Sequence, residues 1–157
     1  MGGRRLTAVL AVLTVLALAI ATPRALRETL ERGQFYVFTW RFVGDIPKRL
    51  AGPGRLRFVV QPCLAILLGC RDGFADARAG RTPYLLALVG GEGRAALARS
   101  ALASIVNLLL MGILLDTISQ WLILGAAYPG AALAVGPVLI AAPYSVSRAV
   151  ANRAARR

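Results

Sequence analysis

The sequence predicts an all-α integral membrane protein with an N-terminal signal-anchor helix, a short half-inserted interfacial helix and a C-terminal transmembrane hairpin. Three observations carry that prediction. Hydrophobic residues make up 57 % of the 157 residues, above the roughly 45–50 % of soluble domains, and the mean hydropathy is +0.64. The apolar residues fall in blocks separated by basic segments, leaving no stretch for a separate soluble core. From Ser100 to Ser147 there is neither Lys nor Arg over 48 residues, long enough for two spans and too long for one.

Residues 1–23 form the signal anchor. After Arg4 and Arg5 come 17 uncharged, nearly all apolar residues, "LTAVLAVLTVLALAIAT", close to the roughly 20 that cross a hydrocarbon core. Ala19 and Ala21 could form a cleavage site, but the membrane character of the rest of the chain favours retention.

Residues 24–57 are a basic, aromatic juxtamembrane segment. Arg24, Arg27, Glu28 and Glu31 are spaced to pair along a helix emerging from the membrane, and Gly33 is a natural stop. Phe35, Tyr36, Phe38, Trp40 and Phe42 suit the headgroup level, beside Lys48, Arg49, Arg55 and Arg57 suited to lipid phosphate.

Residues 58–79 contain the short membrane-inserted or interfacial helix. "FVVQPCLAILLGC" is 13 residues with Gln61 and Pro62, too short to span comfortably, and Pro62 suits a first helical turn. Cys63, Ile66, Leu67, Cys70, Phe74 and Ala77 make an apolar stripe, with both thiols expected buried in a helix seam. Seven residues apart on one helix they are about 10 Å from each other, too far for a disulfide, and zinc lacks further ligands.

Residues 80–157 hold a turn at Thr82 and Pro83, a flexible "GGEG" break, the hairpin and a basic tail. Tyr128, Pro129 and Gly130 are the strongest punctuation in the base-free stretch and place its turn. The hairpin helices then run from about Ala95 to Ala127 and from about Ala131 to Val150, the second kinked by Pro137 and Pro143.

Charge sets the orientation. Arg94 and Arg99 precede the hairpin, and Arg148, Arg153, Arg156 and Arg157 come after it, so its ends and the C-terminus are expected in the cytoplasm. Residues 24–57 carry eight bases against three acids, which puts them inside as well and the N-terminus outside. Three spans result, with 17 of the 19 bases cytoplasmic. The competing arrangement has four spans with the N-terminus inside, at the cost of eight bases in a periplasmic loop.

The bases number 19 against 7 acids, and all but Lys48 are Arg. They flank apolar segments and show no helix-turn-helix or zinc pattern, so anionic headgroups rather than nucleic acid are their expected partners. Arg55, Arg57, Arg71, Arg78 and Arg81 are the candidate lipid or protein contacts, Asp72 and Asp76 balancing the last three. Asp116, Ser119 and Gln120 share one face of the first hairpin helix and Asn107 points the opposite way. Asp116 has no evident base at its depth, which favours structural hydrogen bonding over a proton relay.

No catalytic set is expected. The chain has no His, hence no Ser-His or Cys-His dyad, and no Gly-rich loop is followed by Lys and Ser or Thr. No cofactor and no metal site is expected, since Asp72 and Asp76 alone would hold a magnesium ion weakly. "RDGFADAR" resembles the Asp-Gly-x-x-Ala-Arg motif of the membrane CDP-alcohol phosphotransferases, whose carboxylates hold two metal ions. Asp72 and Gly73 match, Ala77 and Arg78 come one residue late, and no acid lies between Asp76 and Glu92.

The ordered set "QPCLAILLGCRDGFADARAGRTPYL", "LLDTISQWLIL", "YPGAAL" and "PYSVSRAVANRAAR" resembles a group of small bacterial inner-membrane proteins without an assigned activity. The likeness covers about residues 57–155; relatives often carry an acid after "YPG", where this chain has Ala131. It implies a multi-pass protein of the bacterial inner membrane and names no catalytic residue. The resulting expectation is a non-enzymatic scaffold or accessory subunit with an Arg-rich cytoplasmic face, partnered by anionic lipid, another protein or its own copies. A proton-linked component centred on Asp116 is the alternative.

Overall fold

The computed structural model describes residues 2–90 and 93–156. Gly91 and Glu92 of the "GGEG" break and Arg157 of the tail lie outside the described residues. The elements are α1 (Gly2–Arg32), a 3₁₀ turn (Tyr36–Phe38), α2 (Trp40–Ala51), α3 (Arg57–Arg78), α4 (Tyr84–Gly90), α5 (Arg94–Leu124) and α6 (Pro129–Ala154). Among the described residues there is no strand, and α1, α3, α5 and α6 are each long and apolar enough to cross a membrane.

Several boundaries reflect local chemistry. Gly33, at φ 66°, ends α1 by taking a left-handed conformation that a side chain disfavours, and Gly125, at φ 67°, does the same for α5. Pro129 opens α6, where its missing N–H has no intrahelical partner to lose. The turn occupies residues 125–128, so α5 ends three residues before the predicted Ala127, Pro129 and Gly130 of the predicted turn open α6, and α6 continues through Pro137 and Pro143. Thr39 caps α2 by accepting from the Phe42 amide at 3.4 Å.

The helix expected over 58–79 runs from Arg57 to Arg78, and its 22 residues are long and apolar enough to cross a membrane, where the 13-residue apolar run alone implied half insertion. It begins at Arg57, after i→i+3 turns in which the Arg57 amide donates to Gly54 and Phe58 to Arg55. Pro62 consequently lies in the second turn rather than the first. Charged residues at both ends lower the average hydropathy of the segment, which still has a window apolar enough to cross a membrane.

The chain divides into two compact units, Met1–Val59 with Leu109–Pro137, and Val60–Leu108 with Val138–Arg157. In the first, α1 and the second half of α5 run in the same direction, joined by the Thr14 hydroxyl donating to Leu110 O at 3.1 Å and Arg24 to Gly125 O at 2.8 Å. In the second, α3 and the second half of α6 approach through two glycines four residues apart. A Cβ on Gly69 would lie 2.5 Å from Tyr144 O and would overlap the Ser147 hydroxyl; one on Gly73 would overlap Arg148 O.

Polarity is inverted relative to a soluble fold. On α3, Arg57, Gln61, Ala65, Gly69, Gly73 and Asp76 are buried, while Val59, Val60, Leu64, Ile66, Leu67 and Phe74 are exposed. Cys63 is exposed and Cys70 half-buried, so the predicted apolar stripe faces outward and the thiols are not sealed in a seam. Lipid removes the drive to hide apolar side chains, whereas charged and amide groups still require polar partners.

Candidate functional site

Each unit contains a buried polar network. In the first, Asp116 is 1 % exposed on α5 and flanked by two arginines from the preceding chain. Arg57 Nη2 donates to Asp116 Oδ1 at 2.7 Å, and Arg49 Nη1 lies 3.7 Å from Oδ2. Gln120, one turn along α5, donates to Oδ2 at 2.7 Å and accepts the Tyr128 amide at 2.9 Å, which ties the acid to the hairpin turn.

Tyr128 extends the network. Its ring stacks on Tyr36 at 3.8 Å between centroids, Arg41 lies 5.8 Å from each ring, and its hydroxyl donates to Glu28 at 2.7 Å. Arg32 and Arg41 also pair with Glu28. A cleft of about 350 Å³ opens here, lined by Glu28, Arg32, Tyr36, Thr39, Arg41 and Tyr128 among others.

Beside it, Asp45 accepts from the Tyr36 hydroxyl at 2.9 Å and Lys48 at 2.8 Å. Burial alone would raise the Asp45 carboxyl, but the Lys48 and Tyr36 hydrogen bonds outweigh it and hold the group below its ordinary range. Tyr36 is pushed up, first by burial and then by that bond to Asp45. A carboxyl with a depressed folded-state pKa contributes stability that is complete above the unfolded value, about 3.9, and is lost as pH falls through the folded value. Thermal unfolding in detergent should therefore show Asp45→Asn less stable than the parent at pH 7, with the gap closing below about pH 4. An equal gap at pH 7 and pH 3 would contradict this.

In the second unit Asp76 is 2 % and Arg148 1 % exposed. Arg148 Nε donates to Asp76 Oδ2 at 2.7 Å, and Arg148 Nη1 donates to the Tyr144 hydroxyl at 2.9 Å, which donates to Asp72 Oδ2 at 2.8 Å. Arg71 pairs with Asp72 and Arg81 with Asp76, each at 3.1 Å. Tyr84 covers the Arg148 guanidinium at 4.6 Å, and Asn152 donates to Arg81 O at 3.1 Å.

The predicted site residues separate accordingly. Asp116, Ser119 and Gln120 are all buried, and the unit-1 network joins Asp116 to Gln120, while Asn107 lies half-buried in the second unit. Asp116 does have basic partners, contrary to expectation. Arg57, expected among the exposed contacts, is one of them and is buried at 5 % exposure. Arg55, Arg71, Arg78 and Arg81 remain exposed.

Arg49, Arg148 and Tyr144 escaped the sequence reading because their partners lie 67, 72 and 72 positions away in the chain, which periodicity does not register. The Gly69-x-x-x-Gly73 spacing was the local signal for the α3–α6 approach. Among the described residues no group of three His, Cys, Asp or Glu side chains could hold a metal ion. Comparison with protein-family models, with curated proteins and with solved structures finds no match to this chain.

Proposed function

We propose that this protein is a non-enzymatic membrane scaffold or accessory subunit whose exposed arginines engage anionic lipid headgroups. The observation that supports it is the unequal use of charge. Glu28, Asp45, Asp72, Asp76 and Asp116 are all committed to internal ion pairs. Arg55 and Arg78 are exposed with no carboxylate within ion-pair distance among the described residues. The same commitment disfavours the alternatives: both oxygens of Asp116 are occupied, which suits a structural role better than a relay, and Asp72 is held by Tyr144 and Arg71 rather than open to a metal-bound diphosphate.

Native mass spectrometry of the protein released from membranes containing phosphatidylglycerol and phosphatidylcholine tests the lipid contact. Replacing both Arg55 and Arg78 by Gln should lower retained phosphatidylglycerol several-fold and leave phosphatidylcholine unchanged, each lost surface base removing about 1 kcal/mol of attraction. Equal retention by parent and variant would count against the reading, and a co-purifying protein lost with the same variant would shift it to a protein partner.

Four span-length helices support a topology with both termini in the cytoplasm. The charge objection, eight bases between residues 24 and 57, is weakened because Arg32, Arg41, Lys48, Arg49 and Arg57 are ion-paired. Reporter fusions at residues 50 and 129 should read as external, and at 2, 90 and 157 as cytoplasmic. A cytoplasmic signal at residue 50 would return α3 to an interfacial insertion.

A further inference from the structure

The first-unit network carries more positive than negative charge. One carboxylate, Asp116, faces two guanidiniums, Arg49 at 2 % and Arg57 at 5 % exposure, and guanidinium stays protonated in proteins. All three nitrogens of Arg49, and Nε and Nη1 of Arg57, are buried without a hydrogen-bond acceptor. The Asp116 oxygens are already taken by Arg57 and Gln120. Phe42 lies 5.4 Å from the Arg49 guanidinium and Phe58 4.5 Å from that of Arg57. A ring face offsets part of a cation's charge but accepts none of its in-plane N–H groups. A surplus charge with open donors in a low dielectric calls for an anionic acceptor.

The surroundings fix the size of that acceptor. Ser119 and Gln120 are buried beside Asp116. Gly54, at φ 81°, closes over the cluster, where a Cβ would lie 2.5 Å from Ser119 Oγ and 3.2 Å from Arg57 Nη1. Packing that close suits a single small ion better than a lipid headgroup. The surplus is one charge, so the ion is monovalent. We propose that Arg49 and Arg57, flanking Asp116, form a closed site for one small monovalent anion of the halide class.

The test compares thermal unfolding of the full chain in mild detergent with chloride and with gluconate at equal ionic strength. Chloride near a hundredfold excess over its dissociation constant should raise Tm by about 5 °C or more relative to gluconate. Equal ionic strength removes general screening from the comparison. Arg49→Met leaves a neutral Arg57–Asp116 pair; it should lose the chloride response and unfold in gluconate at or above the parent's temperature, an outcome that a purely structural Arg49 would not give. Bromide in place of chloride should produce one anomalous scattering peak within hydrogen-bond distance of both guanidiniums in crystals of the parent protein. Equal Tm in the two salts, an unchanged chloride response in Arg49→Met, or no bromide peak at this cluster would each overturn the proposal. A response to phosphatidylglycerol without one to halide would overturn it too. None of these readouts depends on lipid contacts at Arg55 or Arg78.

Discussion

Gly73→Ala should destabilise the protein by about 3 kcal/mol, and Gly69→Ala by a similar amount. The added methyl at position 73 would run into Arg148 O and lie 2.9 Å from Ala151 Cβ; at position 69 it would meet Tyr144 O at 2.5 Å and Arg148 N at 3.1 Å. The obstacles are largely backbone atoms of α6, which cannot rotate away, so α3 must withdraw. Withdrawal lengthens the Tyr144–Asp72 and Arg148–Asp76 bonds, and the loss exceeds that of packing alone. Thermal unfolding in detergent measures it, with Gly44→Ala as the control. Gly44 lies inside α2 with nothing within 4 Å of its missing Cβ, so that change should stabilise by about 0.5–1 kcal/mol. Near-parental stability of both Gly69→Ala and Gly73→Ala would refute the close approach.

Asp116→Leu should cost about 3–5 kcal/mol, the usual penalty for leaving a buried charge unpaired. Two guanidiniums would then share one closed space, and Gln120 would lose the acceptor that orients it toward the Tyr128 amide. The defect should therefore spread to the hairpin turn, where hydrogen exchange at the Tyr128 amide would accelerate. Combining Asp116→Leu with Arg49→Met and Arg57→Met removes the whole charged set and should recover most of the stability, since apolar replacements for a buried ion pair are often neutral or better. A single Asp116→Leu variant as stable as the parent would show that the acid is dispensable. Failure of the triple variant to recover would show that the cost lies in packing, not charge.

The helical class and the hairpin were legible in the sequence because both depend on local features. The base-free run, the Tyr128-Pro129-Gly130 step and the Gly33 stop act within a few residues, and helices end there. That α3 is long enough to span was not legible, because its 13-residue apolar run with Gln61 and Pro62 read as too short and Asp72 and Asp76 read as headgroup-level charge. They are tolerated because Arg148 and Tyr144, supplied by α6, meet the two acids. Asp116 read as solitary for the same reason, since Arg49 and Arg57 come from a segment that looked like membrane surface. Hydropathy reports the average solvent of a segment, whereas these residues are explained by partners that only the fold supplies. The Gly69-x-x-x-Gly73 spacing was a signal for the packed face of α3, to one side of the apolar stripe that periodicity favoured.

Compensation between residues so far apart has a consequence in time. Arg57 precedes Asp116 by 59 positions, and Asp76 precedes Arg148 by 72. At a synthesis rate of about 5–20 residues per second, α3 is complete for roughly 2–8 s before Asp116 has been made and roughly 4–14 s before Arg148 has. During the first of these intervals Arg57 has no mate on the buried face, while Asp76 has only the nearby, exposed Arg81. On the proposed four-span reading, α3 would settle in hydrocarbon more readily once α5 has supplied Asp116.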